Sequence, residues 1–195
     1  MSDRETSKAV SRMVQAGTVR KIGARLFTRN LTDMPERIVA RNLWPIAALL
    51  APGTVVSHRT AFENKAAPDG SVFLSGAYPR QIILPGITLR QVPGSGPVLG
   101  DLPYMGSLFL ASRPRAFLEN LLPSRRREGV ARTVGREGVE ERLAEILRAG
   151  GEDALNRLRD EARAVAPPLG LEEQARTLDA LVGALLRSRP TTFTS

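Results

Sequence analysis

The chain has 195 residues, 42% hydrophobic and 25% charged, with a formal net charge of +8. That composition belongs to a folded protein with one good core, or with one small domain plus one modest one, and it does not suggest wholesale disorder. There is no cysteine and a single histidine, which excludes disulfides, a cysteine nucleophile and a zinc site of thiolates and imidazoles.

The first predicted element is a short helix over about 7–16, capped by Thr6 or Ser7. Val10, Met13 and Val14 share one face, and Gly17 ends it. Next comes "VRKIGARLFTRN", basic and apolar by turns with a glycine in the middle, which reads as a two-stranded hairpin over about 18–29. Asp33 and Pro35 open a helical stretch with Ile38, Val39, Leu43, Trp44, Ala47 and Leu50 as its stripe. Pro45 removes a hydrogen bond to the Arg41 carbonyl, so a kink or break is expected there.

From 54 to 111 the pattern is mostly β. "TVVSHRTAFEN" reads as a strand running into a short helix, and "APDGSVFLSG" as a turn at Asp69-Gly70 followed by a strand. "RQIILPGITLRQV" gives two strands about Pro85-Gly86. "PGSGPVLGDLPYMG" is a loop, and "SLFLAS" a short strand. Beyond Arg113 the period becomes helical. Ser112 caps a helix carrying Ala116, Phe117 and Leu121. "SRRREGVARTVG" is an exposed basic loop. Three amphipathic helices follow, with Val139, Leu143, Ile146 and Leu147, then Leu155, Leu158 and Ala162, then Ala175, Leu178, Leu181, Val182 and Leu185 on their apolar faces. Gly150-Gly151 and Pro167-Pro168 mark their ends. The expected class is α+β: a partial winged-helix-like helix plus hairpin in 1–53, a small, mostly antiparallel β middle with C-terminal helices in 54–188, and an unstructured tail at 189–195.

The charge is unevenly distributed. Arginine supplies 25 of the 28 basic residues, a bias that a GC-rich genome produces without function. Residues 1–30 and 113–136 each carry seven basic and two acidic side chains, whereas 137–195 carry eight basic and eleven acidic. Two basic blocks form one polyanion-facing patch if the fold joins them. The candidate phosphate contacts are Arg12, Arg20, Lys21, Arg25 and Arg29 in the first block and Arg125, Arg126 and Arg127 in the second. The polar start "MSDRETSK" has no secretory h-region, and "LWPIAALLAPG" is too short to span a bilayer, so a cytoplasmic protein without a membrane partner is expected.

Catalytic chemistry is not visible. "PGSGPVLGD" lacks the Gly-Lys-Ser/Thr ending of a phosphate loop and leads into no helix. His58 in "VSHRT" follows Ser57 directly, and adjacent side chains usually diverge, so capping or packing is its expected role. Glu140 and Glu141 read as solvated charges paired with arginines. No cofactor, metal or catalytic residue is expected.

Two resemblances sharpen this reading. "AVSRMVQAGTVRKIGARLFTRN" resembles the last helix and wing of AbiEi-type antitoxin regulators, and "VVSHRTAFE" and "LASRPRAFLENL" resemble segments downstream of that wing. Nearly the whole chain resembles the N-terminal regulatory region found ahead of the catalytic domain in some bacterial Fic-family proteins. The order of "NLWPI", "DGSVFLSG", "LPGITLRQVPGSGPVLGDLPYMG", "LFLASRPRAFLENLLPSR", "EERLAEILRAGGEDALNRLRDEAR" and "LDALVGALL" carries that likeness. The Fic His-Pro-Phe…Gly-Asn-Gly-Arg loop is absent from this sequence, so nucleotide transfer is not implied. The resemblance implies a regulatory module that binds DNA through a basic wing, or one that restrains a Fic domain or a cognate toxin. The helices that precede the recognition helix in a full winged helix have no counterpart before Ser7.

Overall fold

A computed structural model describes residues 3–124 and 129–188; Arg125, Arg126, Arg127 and the tail at 189–195 lie outside the described residues. The N-terminal helix α1 (Asp3–Gln15) starts earlier than expected, so Thr6 and Ser7 lie inside it rather than capping it. The hairpin follows as β1 (Arg20–Gly23) and β2 (Leu26–Thr28). Lys21 pairs with Phe27, and a register shift between Lys21 and Gly23 puts a bulge in the first strand. Strand alternation turns Ile22 and Leu26 inward, where both are buried, and leaves Lys21 and Phe27 on the outer side.

The next stretch forms two helices, α2 (Pro35–Arg41) and α3 (Leu43–Leu50), with the chain leaving helical geometry at Asn42. The cause is Pro45, which has no N–H for the Arg41 carbonyl. Asp33 does not cap α2. Met34 holds the cap position, and the Asp33 carboxylate instead accepts from Arg41 Nη1 and Asn30 Nδ2, each at 2.9 Å.

The body is a sheet of β3 (Val55–Val56), β4 (Ser71–Gly76), β5 (Arg80–Leu84), β6 (Ile87–Pro93), β7 (Leu102–Pro103) and β8 (Phe109–Leu110), in the order β5-β6-β4-β3-β8-β7. Helix α4 (His58–Glu63) leaves β3, and α5 (Arg113–Asn120) follows β8. The sheet is mixed. β5 is the outer strand, so β6 returns beside β4 and pairs with it in parallel over Ser71–Gly76, while β5–β6, β3–β4 and β7–β8 are antiparallel. β7 arises inside the stretch expected to be a loop.

Two apolar cores result. The first gathers Ile22 and Leu26 of the hairpin, Ile38, Val39, Ile46 and Ala47 of α2 and α3, and Val72, Leu74, Leu84 and Leu89 of the sheet. A boundary at residue 53 therefore runs through one core. The second core joins Phe117 and Leu118 of α5 to α6 (Gly135–Leu169) and α7 (Glu172–Arg187). The stripes expected on those helices are buried: Val139, Leu143, Leu155, Leu158, Leu178 and Val182 are each at most 2% exposed. α6 bends at Gly151, whose φ of 67° and ψ of −168° leave the helical region. Its second half includes Pro167 and Pro168 and ends just past them at Leu169, because the prolines have no N–H for the Arg163 and Ala164 carbonyls and Gly170 turns left-handed. α4 couples the cores: Phe62 meets Phe117 edge-to-face at 5.0 Å, and Ala61 packs on the first core.

Two glycines test the turn geometry. A Cβ at Gly70 (φ +76°) would lie 2.2 Å from the Gly86 carbonyl oxygen, whereas Gly53 (φ +73°) has open space around it. Gly53→Ala should cost about 1 kcal/mol from the left-handed backbone alone. Gly70→Ala should cost at least about 2 kcal/mol more, because backbone must move. Urea unfolding compares them, and equal losses would contradict this packing of the two turns.

Candidate nucleic-acid interface

The hairpin owes its position to its inner side. Ile22 and Leu26 are anchored in the first core, and a Cβ at Gly23 would stand 2.8 Å from Leu84 Cδ2, so β1 lies close against the end of β5. The turn is closed by Ala24 and Arg25, with Arg25 at φ +57°. Lys21, Arg25 and Arg29 are exposed, and among the described residues none of them is ion-paired. Arg20 differs. It is half-buried and its Nη2 donates to the Asp33 carbonyl, so it ties the hairpin to the loop before α2 and is not free for phosphate. Arg12 is exposed on α1, but at about 100° per residue it falls on the side of the helix opposite Val10 and Val14. It therefore does not join Lys21 and Arg25 in the groove between helix and hairpin, which those two residues line with Val10, Val14 and Phe27.

The second basic block is divided. Arg125, Arg126 and Arg127 lie outside the described residues. Arg115 is fully buried, Arg136 pairs with Glu140 at 2.7 Å, and Arg132 donates to the Pro123 carbonyl. The far end of the block is pinned, because the Val130 N–H donates to Asp69 Oδ2 at 3.0 Å. Asp69 also accepts from the Ser71 N–H. Partial burial raises its carboxyl, but the Val130 and Ser71 hydrogen bonds and the Arg90 charge outweigh that and hold it below its ordinary value. The Asp69-Gly70 turn touches Gly86, and β5 ends at Leu84 against the hairpin. The anchored flank of the second block and the hairpin thus lie at the same end of the sheet.

The most densely bonded polar cluster is elsewhere, and it is buried. Arg115 donates from Nε to Glu119 Oε1 (2.8 Å), from Nη1 to Asp101 Oδ2 (2.5 Å) and the Gly96 carbonyl (2.9 Å), and from Nη2 to the Ser95 carbonyl (2.8 Å). Asp101 also accepts from the Ser112 and Val98 N–H groups, and Glu119 Oε2 accepts from the His58 N–H. The "PGSGPVLGD" loop thus turns carbonyls toward a guanidinium, the wrong polarity for cradling phosphate.

Ser57 and His58 do not diverge: Ser57 Oγ is 2.9 Å from His58 Nδ1, because His58 adopts a left-handed backbone at φ +50°. Glu119 Oε2 approaches the same nitrogen at 3.8 Å. A nucleophile–base–carboxylate relay needs its partners on opposite ring nitrogens, and Ser57 is fully buried, so this geometry is not that relay. Burial lowers the His58 pKa. Glu119 opposes that, and Arg132 and Arg115 reinforce it, so the ring is held below its ordinary 6.5.

Sequence reading missed the Arg115–Asp101–Glu119 cluster, although the i, i+4 spacing of Arg115 and Glu119 was a signal for it. It also missed Phe27 as an outward-facing aromatic beside Lys21. Among the described residues no cluster of His, Asp or Glu could hold a metal ion, and no helix is long and apolar enough to cross a membrane. Comparison of the chain with protein families, curated proteins and solved structures finds no match.

Two stability measurements follow. Arg115→Met leaves two carboxylates buried together and should cost about 3–5 kcal/mol in urea unfolding. His58 is neutral in the fold, so the unfolded state gains its proton first as pH drops below 6.5. Stability should then fall as pH drops below 6.5, with His58 contributing at most about 1.4 kcal/mol per pH unit. His58→Asn, which tolerates the left-handed backbone, should flatten that slope; an unchanged slope would contradict the assignment.

Proposed function

We propose that this protein is a non-catalytic regulatory module of antitoxin type that binds duplex DNA through its basic hairpin and acts as a cytoplasmic transcriptional regulator. The observation that carries this is the presentation of Lys21, Arg25 and Arg29, exposed and unpaired among the described residues, on a hairpin whose other side is fixed in the core. Cations on a rigid support meet phosphates without first breaking internal ion pairs, and phosphate contacts dominate affinity for DNA. The net charge of +8 and the common location of the hairpin and the anchored end of the second basic block support the same reading. So does the resemblance of "AVSRMVQAGTVRKIGARLFTRN" to the helix and wing of AbiEi-type regulators. In this reading Arg20 is a positioning residue for the hairpin, and Arg12 contacts phosphate from the far side of α1.

A second reading is favoured by one specific feature, the open groove between α1 and the hairpin. In it the protein restrains or positions a partner, such as a Fic domain or a cognate toxin.

Titration of a 20-base-pair duplex at increasing salt tests the first reading. Binding should weaken steeply with salt, and Lys21→Ala and Arg25→Ala should each reduce the magnitude of the log–log slope by about one. Arg20→Ala should lower stability and leave that slope unchanged. Absence of binding at low salt would remove the DNA reading.

A further inference from the structure

The groove between α1 and the hairpin has a volume of about 740 Å³. Its floor is apolar: Val10 of α1 is half-buried, Val14 is 39% exposed and Phe27 of the hairpin 37%. Lys21 and Arg25 line the same groove. α1 packs extensively on no other described element, and neither apolar core includes any of its residues. A helix of 13 residues is marginal in water on its own. Its stripe, Val10 and Val14, sits one turn apart, the spacing of a helix that is normally covered. The hairpin does not cover it, because Ile22 and Leu26 already face the body.

We infer that this groove is a docking site for an acidic amphipathic helix of a partner protein. The apolar floor calls for an apolar stripe, and α1 spans about 20 Å, the length of a partner helix of three to four turns. The cations set the charge of its flanks. Lys21 and Arg25 have no carboxylate partner among the described residues, so Asp or Glu beside the stripe completes them. A second copy of this chain is a poorer match, since a two-fold contact across this groove would bring Lys21 and Arg25 of both copies together. The inference deepens the partner-binding reading. It also shares Lys21 and Arg25 with the DNA reading, so helix and duplex compete for them.

The test is selection of 16-residue helical peptides from a display library on the full chain, followed by titration of the enriched peptides. The expected winners carry an apolar i, i+4, i+7 stripe with Asp and Glu beside it. Their affinity should fall at least tenfold on Val14→Asp, and also on Lys21→Glu/Arg25→Glu, while a Lys-flanked version of the same peptide should bind that double variant and not the parent. The charge swap keeps the outcome readable where a single variant merely folds poorly.

No enrichment, or winners that bind Val14→Asp as well as the parent, would overturn the inference. So would a dimer in sedimentation that Val14→Asp dissolves, which assigns the groove to a second copy. Tight binding of oligo-dT abolished by Phe27→Ala would assign it to single-stranded nucleic acid. A duplex titration on the same sample separates the two readings. Duplex binding without peptide binding rejects the groove inference alone, and peptide binding without duplex binding rejects the DNA reading alone.

Discussion

A single guanidinium organises the body of this protein. Arg115 is wholly buried, and four hydrogen bonds carry its charge to Asp101, Glu119 and the carbonyls of Ser95 and Gly96. Burying a lone cation is prohibitive, so the arrangement is stable only with every partner in place. Those partners come from the loop after β6 and from α5 itself. Glu119 extends the network to the start of α4 through the His58 N–H, and Asp101 extends it to Ser112 at the head of α5. The cluster thus fixes the relation between the sheet and the helices that begin the second core. Arginine suits this place because its planar fork reaches several acceptors at once.

That rigidity decides where function can sit. The Ser57, His58 and Glu119 side chains are committed to the internal network and sealed from solvent, so the chemistry they suggest on paper is unavailable to a substrate. The exposed cations of the hairpin, unpaired among the described residues, lie at the other end of the sheet. There the hairpin is held by two buried aliphatics and by Arg20, with its free cations on the outer side. α1 stands beside it with an uncovered stripe. A body carrying a cationic flap and an unpartnered helix is the arrangement on which the proposed recognition role rests.

Much of the fold was legible in the sequence, and the limits have physical causes. Periodicity located α7 and both halves of α6, because each buries one apolar face in the second core, and the Pro85-Gly86 turn located the hairpin of β5 and β6. Pro45 foretold the break between α2 and α3 from its missing N–H alone. Strand order was not legible. Nothing in "SVFLSG" or "ITLRQV" says that β5 lies outside them and forces β4 and β6 into parallel register. The interface was legible in part. Lys21 and Arg25 emerge on the solvent side of the hairpin, but Arg20 reads identically in sequence and meets the Asp33 carbonyl instead. Arg115 was counted with a basic block, because a lone arginine near the head of a helix gives no sign of the Asp101 carboxylate and the Ser95 and Gly96 carbonyls a loop will bring to it. The positive φ of His58 that turns it toward Ser57 is likewise set by tertiary contacts and not by its neighbours.

The most direct test of the account is a map of which residues respond when duplex DNA is added to the intact chain. Backbone amide and arginine side-chain NMR resonances can be followed through a titration at low salt. Shifts should concentrate at Lys21, Arg25, Phe27 and Arg29, with the amides of α6 and α7 and the Arg115 Nε–H unmoved. Shifts centred on the C-terminal helices, or a spectrum that ignores the duplex altogether, would contradict it.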